Sequence, residues 1–396
     1  MTRLACVLSL ALLPFVAVAE SQELSHNLSG WKILSGNWTA TEGVITGKAF
    51  GDQPAWLLRE GDLNDFELDL EFRTPEAANG GVAFRCHGLP VTPHPKEEDA
   101  VSAPRQMYGY LANIETRQRA ATGRILDMHG AGGLSETAEA AAAKLSQTEW
   151  NPMRIVARGS TIEVYLHGEL AGSVEDEAFI GGGIALQVAG PEGTAVEFRN
   201  VKLNDLGRLG EWRPIFNGKD LEGWDQWGQE EWLVEDGAIV GRSGPKKSEG
   251  YLATKEIFSK VRVRGQVKML GEGNFGLFYH STVTYKDDGY PVISGVQGEV
   301  QPEWPGATGW IYESYKRGWL VEPDPTTLGA MALRPGQWNA YEIRVDGPRA
   351  TTWVNGIRVL DYTDPAPNLH EGALALQLHT GGVDGILWKD LMVQMD

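Results

Sequence analysis

Cysteine is scarce in this chain, and its scarcity excludes a disulfide framework. Two cysteines, Cys6 and Cys86, occur among 396 residues. Cys6 lies in the apolar N-terminal segment that we predict to be removed on export, so the exported chain keeps Cys86 alone and forms no intrachain disulfide. Stability must then come from core burial, and the length is sufficient for two domains with separate cores.

Long apolar runs are missing beyond the N-terminal segment. That segment has Arg3, an apolar run over Leu4–Val16, and small residues at Ala17 and Ala19 before Glu20. The run is too short to span a bilayer, and its small-residue end is typical of a cleaved secretory leader. The sequence predicts a periplasmic or secreted protein without membrane insertion.

Lysine and arginine are also few compared with aspartate and glutamate. The chain has 35 lysines and arginines against 53 aspartates and glutamates, a formal net charge of −18 at pH 7. Loss of Arg3 with the leader makes the charge one unit more negative. A chain of this charge repels phosphate backbones and anionic lipid head groups, so nucleic acid and membrane surfaces are excluded as expected partners.

Glycine, proline and tryptophan are abundant, with 49, 20 and 14 residues. This composition favours short strands and tight turns over helices. Tryptophan rings suit stacking on the apolar face of a sugar, and they equally suit a large β core. The composition therefore allows a carbohydrate partner without requiring one.

Six short landmarks recur in the same order about 190 residues apart. A period of this length indicates duplication of a whole domain and excludes a solenoid. The sequence predicts a leader over residues 1–19, a first domain over 20–206 and a second domain over 207–396. The matched pairs are Gly30-Trp31 with Gly223-Trp224, Trp38–Gly47 with Trp232–Gly241, Asn79–Phe84 with Asn274–Tyr279, Trp150-Asn151 with Trp338-Asn339, Ile184–Gln187 with Leu374–Gln377, and Phe198–Leu203 with Trp388–Val393.

Within each half the local pattern is that of β-strands. Phe66–Arg73 alternates apolar and charged residues, and Ile155–His167 and Tyr341–Val354 show the same period of two. Turns are predicted at His167-Gly168 and at Asn355-Gly356. We expect each half to be an antiparallel two-sheet sandwich.

One segment breaks the β pattern. Ser135–Leu145 is rich in helix formers and predicts a short surface helix, with Ser135 as its N-cap and Lys144 in its last turn. We expect this helix to be the main insertion of the first half.

Both halves resemble the 3-keto-disaccharide hydrolase domain, a jelly-roll sandwich of the concanavalin A-like lectin/glucanase type. The second half matches the family more completely than the first, at the start of the domain, at the Trp-containing stretch that follows, in the middle of the domain and near its end. The resemblance implies an all-β chain of two tandem antiparallel sandwiches. The matching stretches are Phe216–Trp224, Trp232–Gly241, Ser294–Leu320, Trp338-Asn339 and Leu374–His379.

The two copies differ in their polar residues. The second copy has Gln297 and Glu299 where the first has Leu111 and Asn113, and it has His379 where the first has Ala189. The first copy keeps an arginine, Arg85, at the position where the family usually has one, while the second has His280. We therefore expect the second domain to be active on its concave face, and the first to be a degenerate copy serving in binding or support.

The resemblance implies cleavage of 3-keto-glycosides. A ketone at C3 acidifies the C2 proton, so that a base can remove it and the enolate can expel the C1 oxygen; water can then add back to give net hydrolysis. The base is either Glu299 or His379, with His280 as a partner or a metal ligand. Arg317 or a bound cation stabilises the enolate. The further candidates for substrate binding are Gln297, Tyr312, Trp310, Glu313 and Arg85.

Simpler interpretations of these residues stay open. Glu299 alternates with Gln297 and Gln301 along one strand face, which a solvated face also explains. His379 and His280 are equally consistent with structural histidines, and Arg317 with an ordinary surface charge. The sequence assigns no cofactor, although a divalent cation such as calcium is an open alternative.

Two clusters of titratable side chains are not assigned to an active or metal site. Glu67, Asp69 and Glu71 alternate strictly, which favours a solvent-facing strand over a glucanase-type acidic strand. The other cluster lies in a proline-containing loop and fits no standard zinc spacing. Its members are Cys86, His87, His94, Glu97, Glu98 and Asp99.

Two other functions remain as alternatives. One is a non-catalytic, lectin-like carbohydrate-binding protein. The other is a conventional glucanase, which needs two carboxylates across a cleft; Glu299 with Glu313 is the pair that the sequence offers for it.

Overall fold

The computed structural model describes residues 21–51, 53–74, 78–90, 105–130, 132–146, 148–301, 304–381 and 385–395. The predicted leader and most of the second titratable cluster, from His94 to Asp99, lie outside the described residues. No helix in the described ranges is long and apolar enough to cross a membrane.

The first half forms fifteen strands and two short helices within the described ranges. The helices are α1 (Glu139–Ala143) and a 3₁₀ turn at Arg119–Ala121. The strands are β1 (Gln22–Glu23), β2 (Lys32–Ser35), β3 (Asn37–Thr41), β4 (Val44–Lys48), β5 (Ala55–Leu63), β6 (Asp65–Arg73), β7 (Asn79–Pro90), β8 (Arg105–Glu115), β9 (Ile125–Asp127), β10 (Gly132–Gly133), β11 (Asn151–Arg158), β12 (Thr161–Leu166), β13 (Glu169–Glu175), β14 (Gly182–Ala189) and β15 (Ala195–Gly207).

The second half repeats this inventory. Its helices are α2 (Leu328–Ala332) and a 3₁₀ turn at Pro305–Ala307. Its strands are β16 (Arg213–Pro214), β17 (Trp224–Trp227), β18 (Glu231–Glu235), β19 (Ala238–Arg242), β20 (Gly250–Phe258), β21 (Val261–Met269), β22 (Phe275–Tyr285), β23 (Pro291–Val300), β24 (Ile311–Ser314), β25 (Gly318–Trp319), β26 (Asn339–Asp346), β27 (Arg349–Val354), β28 (Ile357–Thr363), β29 (Gly372–Leu378) and β30 (Ile386–Gln394).

Each half is a sandwich of two antiparallel sheets. In the first, the outer sheet runs β13-β12-β11-β6-β15-β4-β3 and the inner sheet runs β10-β9-β8-β7-β14-β5-β2. In the second, the outer sheet runs β28-β27-β26-β21-β30-β19-β18 and the inner sheet runs β25-β24-β23-β22-β29-β20-β17. Every strand thus has a counterpart at the same place. The chain is all-β, with two tandem jelly-roll sandwiches of the concanavalin A-like type, as predicted.

Strand β6 shows why the outer sheets form. Phe66, Leu68, Leu70 and Phe72 point into the core and are almost fully buried, while the residues between them face outward. The outward acids pair with arginines on neighbouring strands, such as Glu71 with Arg199 at 2.7 Å. The acidic strand is therefore solvent-facing, as the alternation predicted.

The long alternating stretches each fold as a hairpin. Residues 155–167 span β11 and β12, and residues 341–354 span most of β26 and all of β27. The predicted two-residue turns follow, with positive φ at both positions of His167-Gly168 and of Asn355-Gly356. These dihedrals suit the tight turns between twisted strands.

The helix prediction over Ser135–Leu145 is wrong in extent. Helix α1 begins only at Glu139, because the preceding residues are held by other elements: the Ser135 hydroxyl accepts from the Ile125 N–H at 3.0 Å, and the Ala138 N–H donates to the Ala171 carbonyl at 2.9 Å. The helix is also not an insertion, since α2 occupies the same place in the second half.

The two sandwiches touch through the connection between β13 and β14. The Ile180 N–H donates to the Gly356 carbonyl at 2.7 Å, and the Trp353 indole N–H donates to the Glu177 carbonyl at 2.8 Å. The Glu177 carboxylate pairs with Arg344 at 2.7 Å. The first half therefore supports the β27–β28 hairpin of the second.

Candidate functional site

The inner sheet of the second domain is buried on both faces. One face packs against the outer sheet through Leu277, Val296 and Leu376. The opposite face, which we call the site face, carries Tyr251, Phe278, Gln297, Glu299 and Gln377. The register confirms that these side chains are neighbours. Phe278 is opposite Gln297, and Gly276 is opposite both Glu299 and Gln377.

A chain of side-chain hydrogen bonds crosses the site face. The Gln297 amide donates to Gln377 Oε1 at 2.7 Å, and Gln377 in turn contacts the Tyr251 hydroxyl. The Tyr251 hydroxyl donates to Glu249 Oε2. Gln297 can lie across β22 only because position 276 is glycine, since a Cβ there would meet the Gln297 amide nitrogen at 2.3 Å. The network is thus built into the sheet.

Glu299 is the most perturbed acid on the site face. Its side chain is almost fully buried, and this burial raises its pKa to about 8, an effect that the neighbouring Asn274 amide partly offsets. Its backbone is fixed, since its N–H donates to the Trp310 carbonyl at 2.9 Å and its carbonyl accepts from the Tyr341 hydroxyl at 3.1 Å. A carboxyl held in this way can exchange a proton near neutral pH.

Two buried acceptors at Glu299 have no hydrogen-bond partner in the described part of the chain, namely Glu299 Oε2 and Asn274 Oδ1. The Asn274 amide also hydrogen-bonds the Glu299 carboxyl, so the two acceptors are neighbours. Buried polar groups are nearly always paired, and two free acceptors side by side make this end of the site face the candidate ligand site.

Aromatic rings flank this face. Tyr312 is opposite Gln297 in the register and opposite Trp319 on its other side. The Tyr312 and Trp319 ring centroids are 5.3 Å apart, and Trp304 is 5.9 Å from Trp319 and exposed. Such rings can stack on sugars.

His379 lies at the end of the same face. It follows Gln377 by two residues, and its N–H donates to the Asn274 carbonyl at 3.2 Å, which keeps it beside β22. Its ring is partly exposed, and Nδ1 is 3.3 Å from the Thr380 carbonyl. The structure therefore brings together Gln297, Glu299, Tyr312 and His379, with Trp310 as the backbone partner of Glu299.

His280 and Arg85 lie elsewhere. Each occupies a bulge with positive φ at the matching place in its domain. The His280 ring is 2.8 Å from the Ser259 carbonyl, and burial lowers its pKa. The buried Arg85 guanidinium donates to the carbonyls of Asn64 and Gly159 and pairs with Asp65 at 3.2 Å. Both side chains are occupied by the protein itself, so we leave them out of the site.

Arg317 and Glu313 lie on the core side of the sheet. Glu313 is opposite the core residue Val296, so it faces away from Glu299. Arg317 joins it to Asp364 through short ion pairs, and these partners keep the pKa of Arg317 above its ordinary value. Arg317 is thus a link between the sheets, and Glu299 with Glu313 does not form a pair across a cleft.

Sequence reasoning missed Glu249. This buried carboxylate precedes β20 and accepts hydrogen bonds from Tyr251 and from Tyr315, the latter at 2.9 Å. Burial, followed by the Glu249 charge, raises the pKa of Tyr251 above its ordinary value, so its hydroxyl stays a donor. The available signal was the spacing of Glu249 and Tyr251, two residues apart and hence on one face.

The structure gives no support to a metal centre among the residues it describes. Within those ranges no three histidine, cysteine or acidic side chains are grouped as metal ligands. Cys86 and His87 are hydrogen-bonded to the carbonyls of Gly183 and Gly181, at 3.3 and 2.8 Å.

Comparison with protein families agrees with this architecture. A family model described as the 3-keto-alpha-glucoside-1,2-lyase-like domain matches residues 22–204 and again residues 211–394. The chain belongs to this family, in two tandem copies. No match was found among curated proteins.

Solved structures match one domain at a time. A protein from Parabacteroides distasonis described as a candidate glycosyl hydrolase is 19% identical, over 47% of this chain and 94% of its own, with a TM-score of 0.35. The carbohydrate-binding module CBM66 from Bacillus subtilis is 19% identical, over 44% and 95%, with a TM-score of 0.34. A Bacillus subtilis protein with a galectin-like fold is 13% identical, over 46% and 94%, with a TM-score of 0.37.

Proposed function

We propose that this protein is an exported enzyme that cleaves the glycosidic bond of 3-keto-glycosides by removing the C2 proton. The observation that carries the proposal is the buried Glu299 carboxyl, which has a raised pKa and a free oxygen, Oε2. Membership of a lyase-like family supports the same chemistry. Export is proposed from the leader-like pattern of the first 19 residues.

In the proposed reaction Glu299 takes the C2 proton in its ionised form. The C2–H electron pair forms the enolate with the C3 ketone, the C1–O bond then breaks as C1=C2 forms, and the departing oxygen takes a proton from solvent or from the now protonated carboxyl. Addition of water at C1 completes a net hydrolysis. The free acceptor Asn274 Oδ1, on the side chain that hydrogen-bonds Glu299, is available to hold a sugar hydroxyl beside the base.

Isotope exchange tests this chemistry. The mature protein should incorporate deuterium at C2 of a 3-keto-disaccharide in D₂O, and it should leave the unoxidised disaccharide intact because its C2 proton is not acidic. The ratio kcat/KM should rise with pH through about 8, since the base is the ionised form of a group with that pKa. Efficient cleavage of the unoxidised sugar without C2 exchange would refute the proposal.

Carbohydrate binding without catalysis is the second candidate, favoured by the exposed ring of Trp304 beside Trp319. Binding of both oxidised and unoxidised disaccharides without turnover would select this function.

A further inference from the structure

One oxygen of the Glu249 carboxylate accepts no hydrogen bond from the residues that the structure describes. The residue is 7% exposed, and both tyrosine hydroxyls that reach its carboxylate, from Tyr251 and Tyr315, donate to Oε2. No hydrogen bond between described residues goes to Oε1. A buried carboxylate that is oriented through one oxygen keeps the other as a fixed acceptor for a ligand donor.

The surroundings of Glu249 fit a neutral polar ligand. Tyr315 is 55% exposed, and its hydroxyl ties it to Glu249. The Lys286 amine lies 5.4 Å from the ring centroids of both Tyr290 and Tyr315. The exposed ring of Tyr315 beside a carboxylate acceptor suits a sugar, which offers hydroxyl donors and an apolar ring face.

The position of Glu249 relative to Glu299 sets the size of the ligand. Glu249 directly precedes β20 and Glu299 is in β23, with β29 and β22 between them. Three inter-strand spacings of about 4.8 Å separate their strands by roughly 14 Å along the sheet. The direct distance across the face is shorter because the sheet curves, which also lets Tyr315, just beyond β24, reach Glu249. A ligand that meets both acids must therefore extend over the strands between them, as a disaccharide laid across β29 and β22 would.

We propose that Glu249 is the recognition residue for the leaving-group sugar, accepting hydrogen bonds from its hydroxyls through Oε1 while Glu299 addresses the oxidised ring. This inference rests on the proposed function for the orientation of the substrate. It makes the enzyme selective for glycosides whose leaving group is itself a sugar.

Binding of unoxidised ligands tests the inference without turnover. Calorimetric titration should compare glucose disaccharides, α- and β-linked, with methyl glucosides. Glu249→Gln should weaken disaccharide binding by about 10- to 100-fold, the value of a hydrogen bond to a charged group, and change methyl glucoside binding by less than about threefold. Glu256→Gln, which replaces an exposed acid on β20, is the matched control and should alter neither.

Tyr315→Phe separates substrate contact from internal support. It removes one hydrogen bond to Oε2 but keeps the carboxylate, so disaccharide affinity should fall by less than about threefold. A loss as large as that of Glu249→Gln would overturn the inference, as would equal losses on both ligand classes or no preference of the wild type for disaccharides. Failure of C2 exchange would refute the proposed chemistry alone and would leave this binding result standing.

Discussion

The site faces of the two domains have the same backbone and different chemistry. Gly81 and Gly276 lie at the same place, and each is covered by a side chain from the next strand, Leu111 in the first domain and Gln297 in the second. The first-domain face is an apolar cluster, whereas the second-domain face is a hydrogen-bonded network. The duplicated core thus fixes where side chains lie, and substitution on one face decides what they do.

The strand register shows which residue of the first domain corresponds to each site-face residue of the second. Asn113 is opposite Gly81 as Glu299 is opposite Gly276. The remaining first-domain counterparts of site-face residues are Trp56 for Tyr251, Leu126 for Tyr312 and Gln187 for Gln377. Gln187 thus keeps in the first domain the amide that Gln377 supplies in the second. The two domains differ at most positions of this face, but not at all of them.

The largest expected effect comes from the pair Glu299 and Asn113. Glu299→Gln keeps the shape and removes the base, so kcat on a 3-keto-disaccharide should fall by about 100- to 10,000-fold. Asn113→Ala should leave kcat nearly intact, because the amide of Asn113 donates to the Ala121 carbonyl of its own domain. Steady-state kinetics measures both, and the reverse pattern would locate catalysis in the first domain.

The second largest expected effect is on the free energy of unfolding, when the bulge residues Arg85 and His280 are each replaced. Arg85→Met leaves the Asp65 carboxylate buried without its cation, which should cost about 3–5 kcal/mol of unfolding free energy. His280→Ala loses the hydrogen bonds of the ring to the backbone of Ser259 and of Leu369, worth about 1 kcal/mol each. Scanning calorimetry of the two variants should therefore show the larger loss in the first domain.

An Arg85→Met protein with unchanged stability and reduced kcat would contradict this interpretation. It would restore Arg85 as a substrate-binding residue, as the sequence had predicted.

Much of this arrangement was accessible from sequence because the repeat aligns both copies. The pairing of Glu299 with Asn113 and of Gln297 with Leu111 follows from the aligned landmarks, and the register agrees. Alternation along the strand also put Gln297 and Glu299 on one face. It could not show that this face is buried, because its cover comes from segments distant in sequence.

Other parts of the site could not be read from motifs. Tyr312 and Glu313 are consecutive, so the pleat puts them on opposite faces, and proximity in one motif concealed this. Glu249 lies in an irregular segment before β20, outside every repeated landmark. Its role arises only when Tyr315, 66 residues later, folds onto it.

The smallest expected effect tests whether two substitutions suffice to give the first-domain face the proposed activity of the second. In a Glu299→Gln background, Leu111→Gln together with Asn113→Glu rebuilds the amide and the acid of the second domain. The new amide can reach Gln187, which corresponds to Gln377, so the cost of burying it is partly offset. Calorimetry should show a folded protein, and kcat should change by less than about twofold.

The reason for this small effect is that the first domain, although it keeps Gln187, lacks the acid, tyrosine and histidine of the second-domain face. Pro54 stands where the second domain has Glu249, Trp56 where it has Tyr251, and Ala189 where it has His379. Proline and alanine supply no side-chain hydrogen bond, so a grafted acid would have neither a recognition partner nor the polar neighbours that orient a sugar. A tenfold or greater recovery of activity would show that base and amide alone are sufficient, and that the wider network is not required for turnover.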